Sequence, residues 1–561
     1  MPAPPRKETL YTRRQVEDLI AQGKHIIIVE GKVIRTDAWH PFHPGGDKAI
    51  KHMVGRDATD EVNALHSREA RDRMNKYQIG RIEGRWENFL PPIQGGTFRL
   101  LKDPTMETQD DIESTSGSSA AASPVFDGAK GKSELRKRRT SSRHSSGASS
   151  ATSLSDLELE EPSLKDQSES LADKRTREDI EFDLAKYPAL DASTQRDIQA
   201  KYRLLYKRIT SERLFECNYT AYAWECCRYI FLFGMSMLFL RLGWYGFSGA
   251  FLGAMWHQLV FTAHDAGHMG ITHDFHTDTV IGIIIADFLG GLSLGWWKRN
   301  HNVHHVVTNS PEHDPDIEHM PFFAISHRFF ASLRSTYYDR VMAYDVFSQF
   351  VIQYQHYLYY PLLAFGRFNL YRLSWEYLIL GLGPRKGPAA WHRWLEIAGN
   401  VFFWAWFGYG IVYRSIPTAW DRVLFVLVSH AVTMPLHVQI TLSHFAMSTA
   451  DLGVAESFPQ RMLRTTMDVD CPTWLDWFHG GLQFQAIHHL YPRIPRHNLR
   501  RTQRLVQEFC EEVGIPYALY GFVDGNKEVI GRLEDVSRQA KVLAECQRAL
   551  AKETIEGGHG H

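Results

Sequence analysis

Several stretches of the chain run long without a single Asp, Glu, Lys or Arg, among them the apolar Leu242–His264 (23 residues), Ile397–Tyr413 (17) and Val423–Ser443 (21). A further apolar segment, Ala223–Leu240, carries only Glu225 and Arg228. About 20 apolar residues cross a bilayer core, so these segments predict a chain that spans a membrane. Buried helices of a large soluble core are the alternative. Trp244, Tyr245, Trp391, Trp394, Tyr409 and Tyr413 cluster at the segment ends, as in interfacial belts, and favour the membrane. The mean hydropathy of −0.30 hides this, because polar stretches at both ends dilute the apolar middle. Lys201, Arg203, Lys207, Arg208 and Arg213 precede the first span and put the N-terminus in the cytosol.

The rest of the chain divides around this middle. Residues 8–90 read as a compact mixed α+β domain, with a hairpin over 26–34 turning at Glu30-Gly31. Residues 97–177 are rich in Ser and charge and poor in aromatics, and read as a disordered linker. It holds a basic run, 136–146, with Ser141 and Ser142 as phosphorylation candidates against a plain solvated patch. Residues 180–540 form the helical membrane domain. The start, MPAPPRKETLYTRR, has no apolar core and predicts no cleaved secretory signal. With 63 Lys+Arg against 64 Asp+Glu, nothing points to nucleic acid. The six cysteines form no CxxC pair, which argues against a disulfide framework and a zinc knuckle.

The 28 histidines are the unusual count, and nine of them lie between His264 and His319. The first notable one stands in His43-Pro44-Gly45-Gly46, with His66 following 23 residues later. The Pro-Gly-Gly turn aims His43 and lets a flat macrocycle approach the backbone. His66 can reach the opposite face of its iron, while His40 is a rival ligand by type. Two axial imidazoles leave no open position, so such a haem passes electrons and binds no oxygen.

Three further clusters follow: His264/His268, His301/His304/His305, and Gln485/His488/His489. Residues at i, i+3 and i+4 share a helix face, so each cluster can aim its imidazoles at one point. Imidazole suits iron, and seven histidines are too many for one metal. If the clusters meet at one centre, an even number of spans must separate them. The apolar run 279–297 would break that parity, so it predicts an interfacial or re-entrant segment with Asp287 facing protein or water. The count is then four spans, with both termini and all clusters on the cytosolic side. His257, His273, His276, His313, His319 and His430 read as packing, interfacial or supporting histidines.

Residues 8–90 resemble cytochrome b5, and about 180–510 resemble the membrane-bound desaturase and hydroxylase family, with three histidine boxes in order. The resemblance implies haem b on His43 and His66. It also implies two non-haem irons on His264, His268, His301, His304, His305, His488 and His489, with one further histidine near the last span. His444 is the candidate for that role, ahead of His437. Gln485 stands where many relatives have His, a form similar to front-end and sphingolipid desaturases with a fused haem domain. The whole chain most resembles the fungal sphingolipid Δ8-desaturases. That implies O2-dependent Δ8 desaturation of a long-chain base, held as ceramide, in a multi-pass endoplasmic reticulum protein fed by NADH-cytochrome b5 reductase. The alternatives are a Δ6/Δ5 fatty-acyl desaturase, a lipid hydroxylase and a non-catalytic membrane haem protein. Asn300, Asn302, Asn309 and Asp314 are expected near the mouth, as polar anchors for a ceramide headgroup.

Overall fold

The structure, a computed structural model, describes residues 9–101 and 171–557, apart from the side chains of 171 and 550–557. The basic run 136–146, with Ser141 and Ser142, lies outside the described residues.

The N-terminal unit is a four-stranded sheet of β1 (Leu10–Tyr11), β2 (Ile26–Val29), β3 (Lys32–Arg35) and β4 (Gln78–Ile82), in the order β1-β4-β3-β2. Four helices surround it: α1 (Arg13–Ala21), α2 (Asp47–Lys51), α3 (Thr59–Leu65) and α4 (Arg68–Met74). The β2–β3 hairpin pairs Val29 with Lys32 across Glu30-Gly31. Both turn residues have positive φ, 52° and 70°, as a two-residue turn matched to the strand twist requires. The unbroken IIIV run of β2 is buried on both faces. Ile26 and Ile28 pack with Val16 and Ile20 of α1, while Ile27 and Val29 pack with Ala49, Met53 and Val62. Residues 97–101 return to this unit, with the Leu101 amide donating to Asp18 at 2.8 Å. At the far end of the Ser-rich stretch, helix α5 (Leu171–Lys186) already begins, and Thr176 is buried against His327. The expected linker is therefore ordered at both margins, because each margin finds a partner that its composition does not reveal.

The second unit is helical. After α6 (Ala192–Ser211), α7 (Tyr219–Arg241) and α8 (Tyr245–Gly267) form an antiparallel pair turning at Gly243. Next, α9 (Phe275–Ile283) runs through a π-helical turn (Ile284–Leu289) and is followed by α10 (Leu294–Val307), bent by 117° across the break. Asp287, in the π turn, is buried and accepts from Asn400 at 2.7 Å, so it faces protein. Then come α11 (Gln355–Ala364), α12 (Gly366–Leu380) and α13 (His392–Phe403), the last extended by a π-helical stretch to Ser415. They are followed by α14 (Ala419–Ala431), α15 (Met434–Phe445) and α16 (Phe458–Thr465). The chain ends with α17 (Gln485–Leu490), α18 (Leu499–Val513) and the long α19 (Phe522–Gly557).

Among the described residues, three helical segments are long and apolar enough to cross a membrane: Tyr219–Arg241, His392–Ser415 and Ala419–Phe445. The bent pair of α9 and α10 would make a fourth only if it counted as one span. Helix α8 lies inside the helical bundle, pressed against α14. A Cβ at Gly253 would sit 2.4 Å from the Ser429 carbonyl, so glycine is what allows this approach. Outward faces of α7 and the α13 segment stay bare, with Trp224 at 78% and Val401 at 57% exposure. Helix α19 inserts Val529, Leu533, Val536 and Ala540 into a shared core with Leu442 and Phe445 of α15.

Candidate metal centres

In the N-terminal unit, His43 ends a 3-10 turn and His66 caps α3, each in extended backbone. Their ring centroids lie 5.8 Å apart. Two imidazoles on opposite sides of one iron, each bonded at about 2 Å, would place their centroids roughly 6 Å apart. The Gly46 carbonyl accepts from Nδ1 of His43 at 2.9 Å, which leaves Nε2 for a metal. His40 turns away and stacks on His25 at 4.3 Å. Burial, then the neighbouring His43, holds His66 down to about 3, in the neutral form a ligand needs. The residues present fit a bis-histidine haem.

In the helical unit, His264 at the end of α8 and His268 just beyond it meet His301 of α10 and His488 of α17, with their ligand nitrogens all within 4.8 Å. His304 of α10, His444 of α15 and His489 of α17 form a second group within the same limit. His305 lies between the groups, its Nε2 3.1 Å from that of His301 and 3.1 Å from that of His488. Nε2 of His304 is 3.2 Å from that of His489. Two nitrogens held 2.0–2.1 Å from one metal at a right angle are roughly 3 Å apart. The Nε2 of His268 is buried and has no protein partner, as an atom kept for a metal would be. Burial, then the like charge of neighbouring rings, holds His268, His305, His488 and His489 well below the usual histidine range. These eight histidines fit two metals better than one.

The N-terminal residues 12–83 match the cytochrome b5-like heme/steroid binding domain family, and residues 242–521 match the fatty acid desaturase family. A Delta 8-(E)-sphingolipid desaturase of Emericella nidulans is 65% identical over 99% of both chains. The chain belongs to the fatty acid desaturase family. A Candida albicans protein of the same name is 46% identical over 97% of this desaturase and 98% of its own length. A Delta(8)-fatty-acid desaturase of Helianthus annuus is 36% identical, covering 62% of this chain and 75% of its own. The fused cytochrome b5 domain is the electron donor type that accompanies such an enzyme, and the family acts on lipids with O2.

Two carboxylates, Asp314, expected as a headgroup anchor, and Asp316, which the sequence did not single out, support the cluster of this desaturase. Asp314, fully buried, lies 2.8 Å from Nδ1 of His304, and Asp316 lies 3.4 Å from Nδ1 of His301. A carboxylate on Nδ1 fixes the tautomer that offers Nε2 to a metal. Burial works against a charged His304, yet Asp314 and Asp316 outweigh it and hold that ring up at about 9. Asp316 also comes within 3.8 Å of Nδ1 of His304, the ring atom that keeps the proton. The DPD sequence ten residues after His304 was the available signal. Behind the first box, Arg496 pairs with Glu225 and Asp265, and Tyr222 donates to Asp265, which braces the end of α8.

The expected headgroup anchors are a correction. Asn300 donates to Asp316, and Asn309 donates to the His444 carbonyl at 2.8 Å. Asn302 bonds back to the Lys298 carbonyl at 2.6 Å, and Asp314 serves His304. Their donors and the Asp314 carboxylate are taken up by the cluster and its helix, and two acceptors left over, Oδ1 of Asn300 and Oδ1 of Asn309, are buried rather than open at a mouth. His437 packs against Gly366 on α12, whereas His444 is in the cluster. Gln485 is buried one turn before His488 and His489. Of the remaining histidines, His257 contacts Gln439, His430 stacks on Phe368 and His276 contacts His392.

Proposed function

We propose that this chain introduces the (E) double bond between C8 and C9 of the long-chain base of a sphingolipid, held as ceramide. The observation that carries the reading is its 65% identity, over 99% of both chains, to a protein named for that activity. An acyl-lipid substrate is the second reading, supported by the Helianthus protein over a smaller share of the chain.

His43 and His66 would hold haem b. His264, His268, His301, His304, His305, His444, His488 and His489 would hold two irons, with Gln485 beside them. Bound there, the irons supply O2 activation and the haem supplies one-electron delivery. Reducing O2 to two waters takes four electrons and four protons. The substrate gives two of each as its C–H bonds break, and a donor gives two electrons with two protons from solvent. Asp314 and Asp316 keep the protons of His304 and His301 on Nδ1, so both rings face the centre with Nε2. Four spans are proposed in the endoplasmic reticulum membrane: the three segments long and apolar enough, α7, the α13 segment and α14–α15, with the less apolar α8 as the return crossing antiparallel to α7. The bare apolar faces of α7 and α13 support their contact with lipid, and the haem domain and boxes would face the cytosol with NADH-cytochrome b5 reductase as donor. Domain limits of 8–90 and 180–540 belong to the same proposal, with the linker expected at 97–177 cut back where 97–101 joins the first unit and 171–177 lies in α5.

The test is expression in a yeast lacking the activity, with long-chain bases and fatty acids analysed separately. A new Δ8 double bond in the long-chain bases is expected. One confined to the fatty acids would overturn the substrate while leaving the desaturase class standing.

A further inference from the structure

The haem domain does not sit beside the helical unit at random. Its apolar cluster of Ile27, Val29, Ile34 and Val62 continues into Val303, Val306 and Val307 of α10, the helix that bears the second box. The His43 loop meets the same helix. A Cβ at Gly45 would lie 3.1 Å from Nδ2 of Asn302, and one at Gly46 2.9 Å from Cγ of Arg299. The Pro-Gly-Gly turn thus packs tightly on α10, most closely at Gly46, whose φ of 85° also favours glycine. Asn302 is the sequence neighbour of His301. On the other side, Nη1 of Arg493, four residues after His489, donates to the His66 carbonyl at 3.2 Å.

Charges surround these contacts. Asp47 pairs with Arg299 at 3.3 Å, Asp60 with Arg203 at 2.7 Å, and Glu61 with Arg461 at 3.3 Å. In each pair the acid is on the haem domain and the arginine on the helical unit. Asp60 and Glu61 are buried, so these carboxylates are covered by the contact. Oppositely charged rims of this kind fix orientation and steer encounter more than they add affinity.

We propose that the loops carrying His43 and His66 are themselves the docking surface of the haem domain, one seated on the second-box helix and the other on the segment after the third box. Arg299, Asn302 and Arg493 are positioning residues that hold this register. The proposal rests on the reading of the chain as a desaturase fed by its own haem domain. Electron tunnelling falls steeply with distance, and a turn packed against the neighbour of His301 gives a short path through protein. Docking also occupies Asp47, Asp60 and Glu61, so the haem domain cannot offer those acids to an outside donor while it is seated.

The experiment uses the full chain, haem-loaded, in lipid nanodiscs. Arg203 lies on α6, which bears no box residue, so Arg203→Glu tests docking without touching the metal cluster. Hydrogen exchange over residues 294–307 is measured, together with the rate at which pre-reduced haem is reoxidised with O2 and lipid present. Arg203→Glu and Arg299→Glu should each raise exchange there and slow reoxidation at least ten-fold, with haem absorbance unchanged. The charge-swapped pairs Arg203→Glu/Asp60→Arg and Arg299→Glu/Asp47→Arg should restore most of both. Exchange and reoxidation matching the unmutated chain, or charge-swapped pairs no better than the single changes, would overturn the docking surface. Should Arg299→Glu lose metal, the Arg203 pair alone decides. Failure of the desaturase reading would appear separately, as absence of lipid product with the exchange result intact.

Discussion

Asp314→Asn is an almost isosteric change whose effect follows from three hydrogen bonds. One carboxylate oxygen of Asp314 faces Nδ1 of His304 at 2.8 Å and accepts the Asn309 amide at 2.7 Å. The other accepts the Asp316 amide at 2.9 Å. All three partners are donors, and Asp314 is fully buried. An asparagine presents one oxygen and one NH2, so at least one buried N–H must face another N–H. With the NH2 toward His304, the ring can pair only by moving its own proton to Nε2, the nitrogen needed for a metal. With the NH2 toward Asp316, the tautomer survives but the charge that supports it is lost. A buried donor left unpaired costs about 1–3 kcal/mol. At about 1.4 kcal/mol per decade this is roughly a 5- to 140-fold loss of metal affinity, which brackets outer-shell changes at other histidine sites. The assay is iron per protein after dialysis against graded chelator, with product formation measured on the same samples. Iron retention within about two-fold of the unmutated chain across the series would refute the argument that Asp314 sets the His304 tautomer.

Other outcomes follow from the same geometry. His43→Ala or His66→Ala should abolish low-spin haem absorbance and product in cells while the helical unit stays folded; normal absorbance in both variants would end the haem assignment. His268→Ala, His304→Ala and His489→Ala should each lower iron content and eliminate product, because positioned ligands act as a unit; retained activity in any one would mean the cluster is misread. Removing about residues 110–165 should leave most activity, since the ion pairs that join the two units, Asp47–Arg299, Asp60–Arg203 and Glu61–Arg461, all lie outside that stretch; a loss well beyond ten-fold with both units folded would show a specific role for that segment.

Much of this architecture is legible in the sequence because it rests on local periodicity. The i, i+3, i+4 spacing of His301, His304 and His305 places three rings on one face of α10 wherever that helix lies. The uncharged runs mark α8, the α13 segment and α14–α15 by composition alone, and Glu30-Gly31 marks its hairpin by turn chemistry. The run 279–297 could be read as broken only through parity, and the structure shows the 117° break with Asp287 paired to Asn400. The polar residues around the second box are not legible in this way. Asn300, Asn309 and Asp314 have the chemistry of a headgroup site, and only their neighbours reveal that they serve His304, His444 and Asp316.

What the sequence by itself determined was therefore the inventory: which helices form, which faces carry imidazoles, and which family the chain joins. The physical reason is that helix periodicity, turn preference and apolar length act within a few residues. The tertiary structure alone decided how the histidines divide into two groups, which carboxylate orients which ring, and that the glycines of the haem loop press on the second-box helix. Those facts depend on side chains far apart in the chain meeting in a dry interior. There every buried donor must find an acceptor, and each close approach needs a residue small enough to permit it.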